Sequence, residues 1–137
     1  MVRVFTNVRS VKAVKKVMLT GKIHTARLTS CELDYEGSLE IDPLILKEAG
    51  ILPYEKILVV NRNNGERLET YAIPGAPGSK VFCLNGPAAH RGKPGDTVTI
   101  MAFSLLDEAE AKVVEPTIVV LNAQNEIIER KGRRPGC

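Results

Sequence analysis

Lys56-Ile57-Leu58-Val59-Val60-Asn61-Arg62-Asn63-Asn64-Gly65-Glu66-Arg67-Leu68-Glu69-Thr70-Tyr71-Ala72-Ile73-Pro74 is the stretch that decides the fold. Lys56 to Asn61 is an apolar run of strand length, and Arg67 to Ile73 is a second strand of mixed β-branched, aromatic and polar residues. Between them lie Asn63-Asn64-Gly65, residue types that tolerate positive φ, so the whole reads as a β-hairpin. Strand alternation puts Arg67 and Tyr71 on one face and Thr70 on the other. An ideal strand separates the Cα atoms of Arg67 and Tyr71 by ~13 Å, so a single pocket using all three requires a bend or long side chains converging from both ends.

Working outward, the same signals recur. Leu19 to Thr29 reads as a first strand or pair of strands, Lys80 to Leu84, Thr97 to Leu105 and Thr117 to Asn122 as others, with the Gly/Pro-rich loop 74–79 and the turn Pro94-Gly95-Asp96 as punctuation. Asp42-Pro43 before Leu44-Ile45-Leu46-Lys47-Glu48-Ala49 and Gly50 predicts a short helix with Asp as N-cap, Pro at N1 and Gly at C′. Gly86 to His90 has room for one helical turn, and the tail after Arg130 reads as disordered. Many short strands with one or two short helices suggest a mainly β protein, a compact β-barrel.

The bulk properties set bounds. At 137 residues, 44% hydrophobic and 26% charged, the chain has the size and composition of one soluble domain. No apolar run approaches the ~20 residues of a membrane span, and no secretory signal follows Met1, so a cytoplasmic protein without membrane contact is expected. Cys31, Cys83 and Cys137 form no CxxC pair and read as free thiols; with only His24 and His90 to assist them, no metal site is expected. The net charge of +3 belongs to the ends: residues 1–17 and 130–137 carry nine bases and no acid, whereas the body holds all 16 acids against ten bases. These segments read as solvated basic ends, and with 4% aromatic residues there is little for nucleic-acid bases to stack on, so no nucleic-acid partner is expected.

Four blocks carry a family resemblance. They are Met18-Leu19-Thr20-Gly21-Lys22-Ile23-His24; Asp34-Tyr35-Glu36-Gly37-Ser38-Leu39-Glu40-Ile41-Asp42; Asn63 to Pro74; and Leu84-Asn85-Gly86-Pro87-Ala88-Ala89-His90 with Pro94-Gly95-Asp96 behind it. A Gly-Ser pair alone is uninformative, since about one arises by chance in such a chain, and Gly78-Ser79 is a second. In this order and spacing, across residues 18–122, the blocks resemble the bacterial aspartate 1-decarboxylases, pyruvoyl-dependent lyases that make β-alanine for pantothenate and coenzyme A synthesis.

The resemblance implies a double-psi β-barrel over residues 18–122, between a basic N-terminal extension (1–17) and a basic C-terminal tail (123–137). It also implies a homotetramer with active sites between subunits, with a maturation factor as a further partner to test. It implies a zymogen that cleaves itself between Gly37 and Ser38, with Ser38 becoming a pyruvoyl group that forms a Schiff base with L-aspartate, and with no metal and no pyridoxal phosphate. Glycine suits such a cut because, lacking Cβ, it accepts strained backbone angles and leaves its carbonyl open to attack.

Residue by residue, Arg67 matches the substrate-carboxylate ligand, a role suited to a guanidinium fork, and Lys22 a second cationic contact. Tyr71 matches the proton donor, a phenol with pKa ~10 that holds its proton at neutral pH. Gly86, Pro87 and Ala88 match the substrate loop; Thr70 and Asn85 match groups that stabilise the backbone oxyanion during cleavage, and Tyr35 matches a neighbour of the cut. Pro87 stands where the family often has Ala and removes an N–H donor. His24 fits either a pocket-lining or a structural role, and His90 reads as structural. The rival functions are a non-catalytic β-barrel binding module and a pyruvoyl decarboxylase of another amino acid.

Overall fold

The computed structural model describes residues 14–132. Most of the basic extension, the last residues of the tail and Cys137 lie outside the described residues. The fold is mainly β, as expected, with short helices. In chain order the elements are β1 (Lys15–Arg27), β2 (Ser30–Glu32), β3 (Ser38–Ile41), α1 (Pro43–Ala49), β4 (Lys56–Asn61), β5 (Arg67–Pro74) and β6 (Phe82–Asn85). A 3-10 helix (Gly86–Arg91), β7 (Thr97–Asp107), α2 (Glu108–Val113), β8 (Thr117–Leu121) and β9 (Ile127–Lys131) complete them.

The β4–β5 hairpin forms as its sequence dictates, antiparallel from Lys56 opposite Tyr71 to Val60 opposite Arg67. Its turn is closed by Asn61 N–H donating to the Glu66 carbonyl at 2.8 Å and by the Asn61 side chain accepting from Asn63 N–H at 2.9 Å. Such local Asx bonds are why asparagine clusters favour turns. Helix α1 carries the expected punctuation: the Asp42 side chain accepts from Leu44 N–H, proline occupies the first turn, and Gly50 adopts φ 72° at the C-terminal end. The buried Asp42 carboxylate also accepts from Gly78 N–H and Lys80 N–H, so this cap anchors the 74–79 loop as well.

Hydrogen bonding runs in the order β2-β6-β3-β5-β4-β7-β1-β8-β9. Most neighbours are antiparallel, but β1–β8, β2–β6 and β3–β5 are parallel, joining segments distant in sequence. One face of this curved sheet buries Ile23, Leu39, Ile41, Ile57, Val59, Phe82, Leu84, Val98 and Ile100, nearly all fully excluded from water. At about 25 cal/mol per Å² of apolar surface, each such side chain contributes on the order of 2 kcal/mol.

Three expectations are corrected. Strand β1 begins at Lys15, inside the segment assigned to the extension, because Lys15, Lys16 and Val17 pair with Asp107, Leu106 and Leu105. Residues 123–131, expected as tail, form a turn and strand β9, which pairs with β8. Helix α2, absent from the sequence expectation, starts from a full capping box in which Asp107 and Glu110 each bond the other's backbone N–H.

Candidate functional site

Ser38 opens strand β3, directly opposite Asn85, which ends strand β6. Both residues are 1% exposed, and Asn85 Nδ2 donates to Ser38 Oγ at 3.0 Å. A hydroxyl and a carboxamide removed from water in this way must bond one another or another partner, since a buried polar group left unsatisfied costs on the order of 1–3 kcal/mol.

The next residue shapes the approach. Gly86 starts the 3-10 helix at φ 65°, and a Cβ there would lie 2.6 Å from the Tyr35 carbonyl oxygen and 2.8 Å from Gly37 N. Only glycine fits both the left-handed backbone and the contact with the segment bearing the Gly37-Ser38 bond. Gly37, Thr70, Pro87 and Ala88 line one open pocket of about 260 Å³ together with Leu68, Glu69 and Arg91. Pro87 occupies the first turn of the 3-10 helix, where an N–H would have no intrahelical acceptor, so local backbone bonding tolerates the proline. Tyr35 is exposed and approaches the site through its carbonyl.

Tyr71 reaches this neighbourhood through the sheet. Leu39 pairs with Ala72 across the parallel β3–β5 contact, so Tyr71 lies level with Ser38 on the adjoining strand. Its ring stacks on Tyr54 at a centroid distance of 6.5 Å, and Tyr54 adopts φ 70°.

Arg67 borders this pocket through its backbone, whose carbonyl accepts from Arg91 at 3.5 Å, and Lys22 lies farther off. Arg67 is exposed near the start of β5, on the face opposite Thr70, and follows the alternation read from sequence. Lys22 pairs with Met101, Met101 with Leu58 and Leu58 with Glu69, so Lys22 shares the outward face of the β1-β7-β4-β5 run with Arg67. Three strand spacings of ~4.8 Å still separate the Lys22 backbone from β5.

His24 lies on the same outward side, with Nδ1 3.5 Å from Thr99 Oγ1. Its pKa is lowered from 6.5 by partial burial and then by the positive charges of Lys22, Lys131 and Arg62. His90 is exposed and lines a different pocket with Asn63, Asn64 and Lys93.

Sequence reading passed over two residues beside the site. Arg91 lines the Gly37 pocket while its guanidinium pairs with Glu66 at 2.7 Å, and nothing in its local sequence distinguishes it from a surface arginine. Cys83 donates from Sγ to Asn85 Oδ1 at 3.3 Å; its signal was the i, i+2 spacing from Asn85 on a strand. Cys31 and Cys83 are free thiols. Among the described residues no group of three or more His, Cys, Asp or Glu side chains is placed to hold a metal ion, and no helix is long and apolar enough to cross a membrane.

Residues 14–128 match the family model described as aspartate decarboxylase. The chain is 46% identical over 122 residues to aspartate 1-decarboxylase of Moorella thermoacetica, covering 88% of this chain and 95% of that protein. It is 51% identical over 112 residues to the Listeria monocytogenes serovar 1/2a protein of the same name, covering 82% and 88%. With the Bacillus subtilis aspartate 1-decarboxylase the identity is 46% over 120 residues, covering 88% and 94%.

Proposed function

The chain belongs to the aspartate decarboxylase family, and from that premise we propose that it removes the α-carboxylate of L-aspartate as CO₂, leaving β-alanine for pantothenate biosynthesis. The observation that carries this reading to particular atoms is the buried Ser38 hydroxyl, hydrogen-bonded to Asn85 beside a pocket lined by Gly37, Thr70, Pro87 and Ala88.

In this reading the chain is made as a proenzyme. Ser38 Oγ attacks the Gly37 carbonyl, the C–N bond breaks, and nitrogen takes the proton, giving an ester. Loss of the Ser38 α-proton expels the Gly37 carboxylate and leaves a dehydroalanine, whose nitrogen one water replaces, releasing ammonia. The new chain beginning at residue 38 then carries a pyruvoyl ketone. Thr70 and Asn85 serve the negative charge that develops during the shift. The surroundings of Ser38 suit the group: Gly86 lies flush against the 35–37 backbone, and the pocket opens beside Gly37.

When present, the ketone supplies the electron sink for the bonding pair that CO₂ leaves behind. The encoded residues bind and protonate. Arg67 grips a substrate carboxylate through two parallel N–H bonds and Lys22 adds a second positive charge. Tyr71, level with Ser38, hands its phenolic proton to the carbon that lost CO₂. Arg67 and Lys22 face away from the chain, so this reading joins them to the Ser38 pocket of another copy, in keeping with an assembly of identical subunits such as a tetramer.

Intact mass of purified protein tests the cut: fragments ending at Gly37 and beginning at residue 38 are expected without any added maturation factor. The Ser38→Ala variant should remain one chain and release no CO₂ from aspartate. Decarboxylation by that variant would overturn the reading.

A further inference from the structure

The side chain of Asn85 is held from two directions. Strand β6 is buried along its whole length, and alternation places Cys83 and Asn85 on one face, opposite Glu40 and Ser38 of β3. Nδ2 of Asn85 donates to Ser38 Oγ at 3.0 Å, while Oδ1 accepts from Cys83 Sγ at 3.3 Å. We propose that Cys83 is a positioning residue for self-cleavage, its S–H fixing the Asn85 carboxamide with the NH₂ end aimed at Ser38 Oγ. This rests on the reading that the chain cuts itself at Gly37-Ser38.

The orientation matters because the two ends of a carboxamide have nearly the same shape and opposite hydrogen-bonding roles. With NH₂ toward Ser38, the amide donates to Oγ and favours the form of the hydroxyl that has lost its proton, as attack on the Gly37 carbonyl requires. With the orientation reversed, Oδ1 accepts the hydroxyl proton and holds it in place. Packing alone does not choose between these arrangements, but a donor facing Oδ1 does.

A thiol can perform that role only while it keeps its proton. Burial raises the Cys83 pKa, and the carboxylates of Glu40 and Glu32 push the same way against a hydrogen bond from Ser30, so the S–H persists through the physiological range. Cys83 is 3% exposed, which also removes it from oxidants and metals in solution and leaves packing and donation as its functions.

Cleavage of the full chain, followed by intact mass from rapid purification onward, separates these two functions. Cys83→Ser keeps a donor and should cleave within about twofold of wild type, whereas Cys83→Val and Cys83→Ala lose it and should slow by on the order of threefold to tenfold, the value of one neutral hydrogen bond. Thermal midpoints are measured alongside. A packing role would make rates follow stability and let Cys83→Val, which fills the volume, cleave as fast as Cys83→Ser; that result overturns the proposal. If Cys83→Ala does not fold, the Ser and Val variants still decide. Wild-type protein that stays intact overturns the self-cleavage reading and this inference with it, whereas wild-type cleavage at the same rate as Cys83→Val defeats this inference alone.

Discussion

Ser38 and Arg67 stand on neighbouring strands, β3 and β5, yet in different physical surroundings. Around Ser38 the contacts are made within one chain and its own hydroxyl is buried: Asn85 on the hydroxyl, Cys83 on Asn85, Gly86 against the backbone of residues 35–37. Around Arg67 the surface is open, on the outward face of the sheet shared with Lys22, His24 and Glu69. Under the proposed function the first region acts on its own backbone and the second meets a charged molecule arriving from outside, so the contrast would separate making the active group from using it.

Co-expression of two inactive variants gives the largest expected effect. Arg67→Ala should still cleave but lose about 3 kcal/mol of substrate binding, on the order of a hundredfold in kcat/KM, while Ser38→Ala neither cleaves nor turns over. If the two regions meet between copies, mixed assemblies of these chains regain aspartate decarboxylation well above either alone. Absence of any regain would place Arg67 and Ser38 of the same chain in one site.

Gly86→Ala strikes the buried region only. The added Cβ would meet the Tyr35 carbonyl oxygen and Gly37 N below 3 Å with the backbone in the left-handed region. A stability loss of about 2 kcal/mol is expected with slowed cleavage, read by thermal midpoint and intact mass. Unchanged stability and rate would mean that the 35–37 segment can move away freely.

The smallest effect belongs to His24. Its folded-state pKa lies below the unfolded value of 6.5, so the unfolded chain binds the proton more readily. The folded state is therefore undisturbed above about pH 6.5 and loses stability as pH falls through the window beneath it. His24→Gln should flatten a shallow decline in thermal midpoint between about pH 7 and pH 5. An identical slope in the variant would show that neither burial nor the neighbouring charges shift His24 in the fold.

Much of this division was legible residue by residue. The β4–β5 hairpin, the Asp42-Pro43 helix start, the Gly50 stop and the turn of helix at Gly86 all depend on local backbone preferences, which short sequence windows carry. The alternation of Arg67, Thr70 and Tyr71 was equally readable. Strand β3 was not: Ser38-Leu39-Glu40-Ile41 is four residues long and takes its strand form from partners 33 positions away on β5 and 41 to 47 positions away on β6. Strand β9 escaped because it is largely exposed and charged and is held by pairing to β8 rather than by an apolar pattern. The Asp107-to-Glu110 capping box was present in the sequence and was masked by the long β-branched run before it.

Sequence by itself determined the family, the mainly β class and the turn chemistry, because those follow from residue types and spacings along the chain. Tertiary structure alone decided that Ser38 is buried against Asn85, that Cys83 bonds the far end of that amide, and that Arg67 and Lys22 share an outward face of the sheet. These facts depend on parallel and antiparallel pairings between remote segments. A one-residue change of register would turn every side chain of a strand to its other face, and only long-range packing fixes that register.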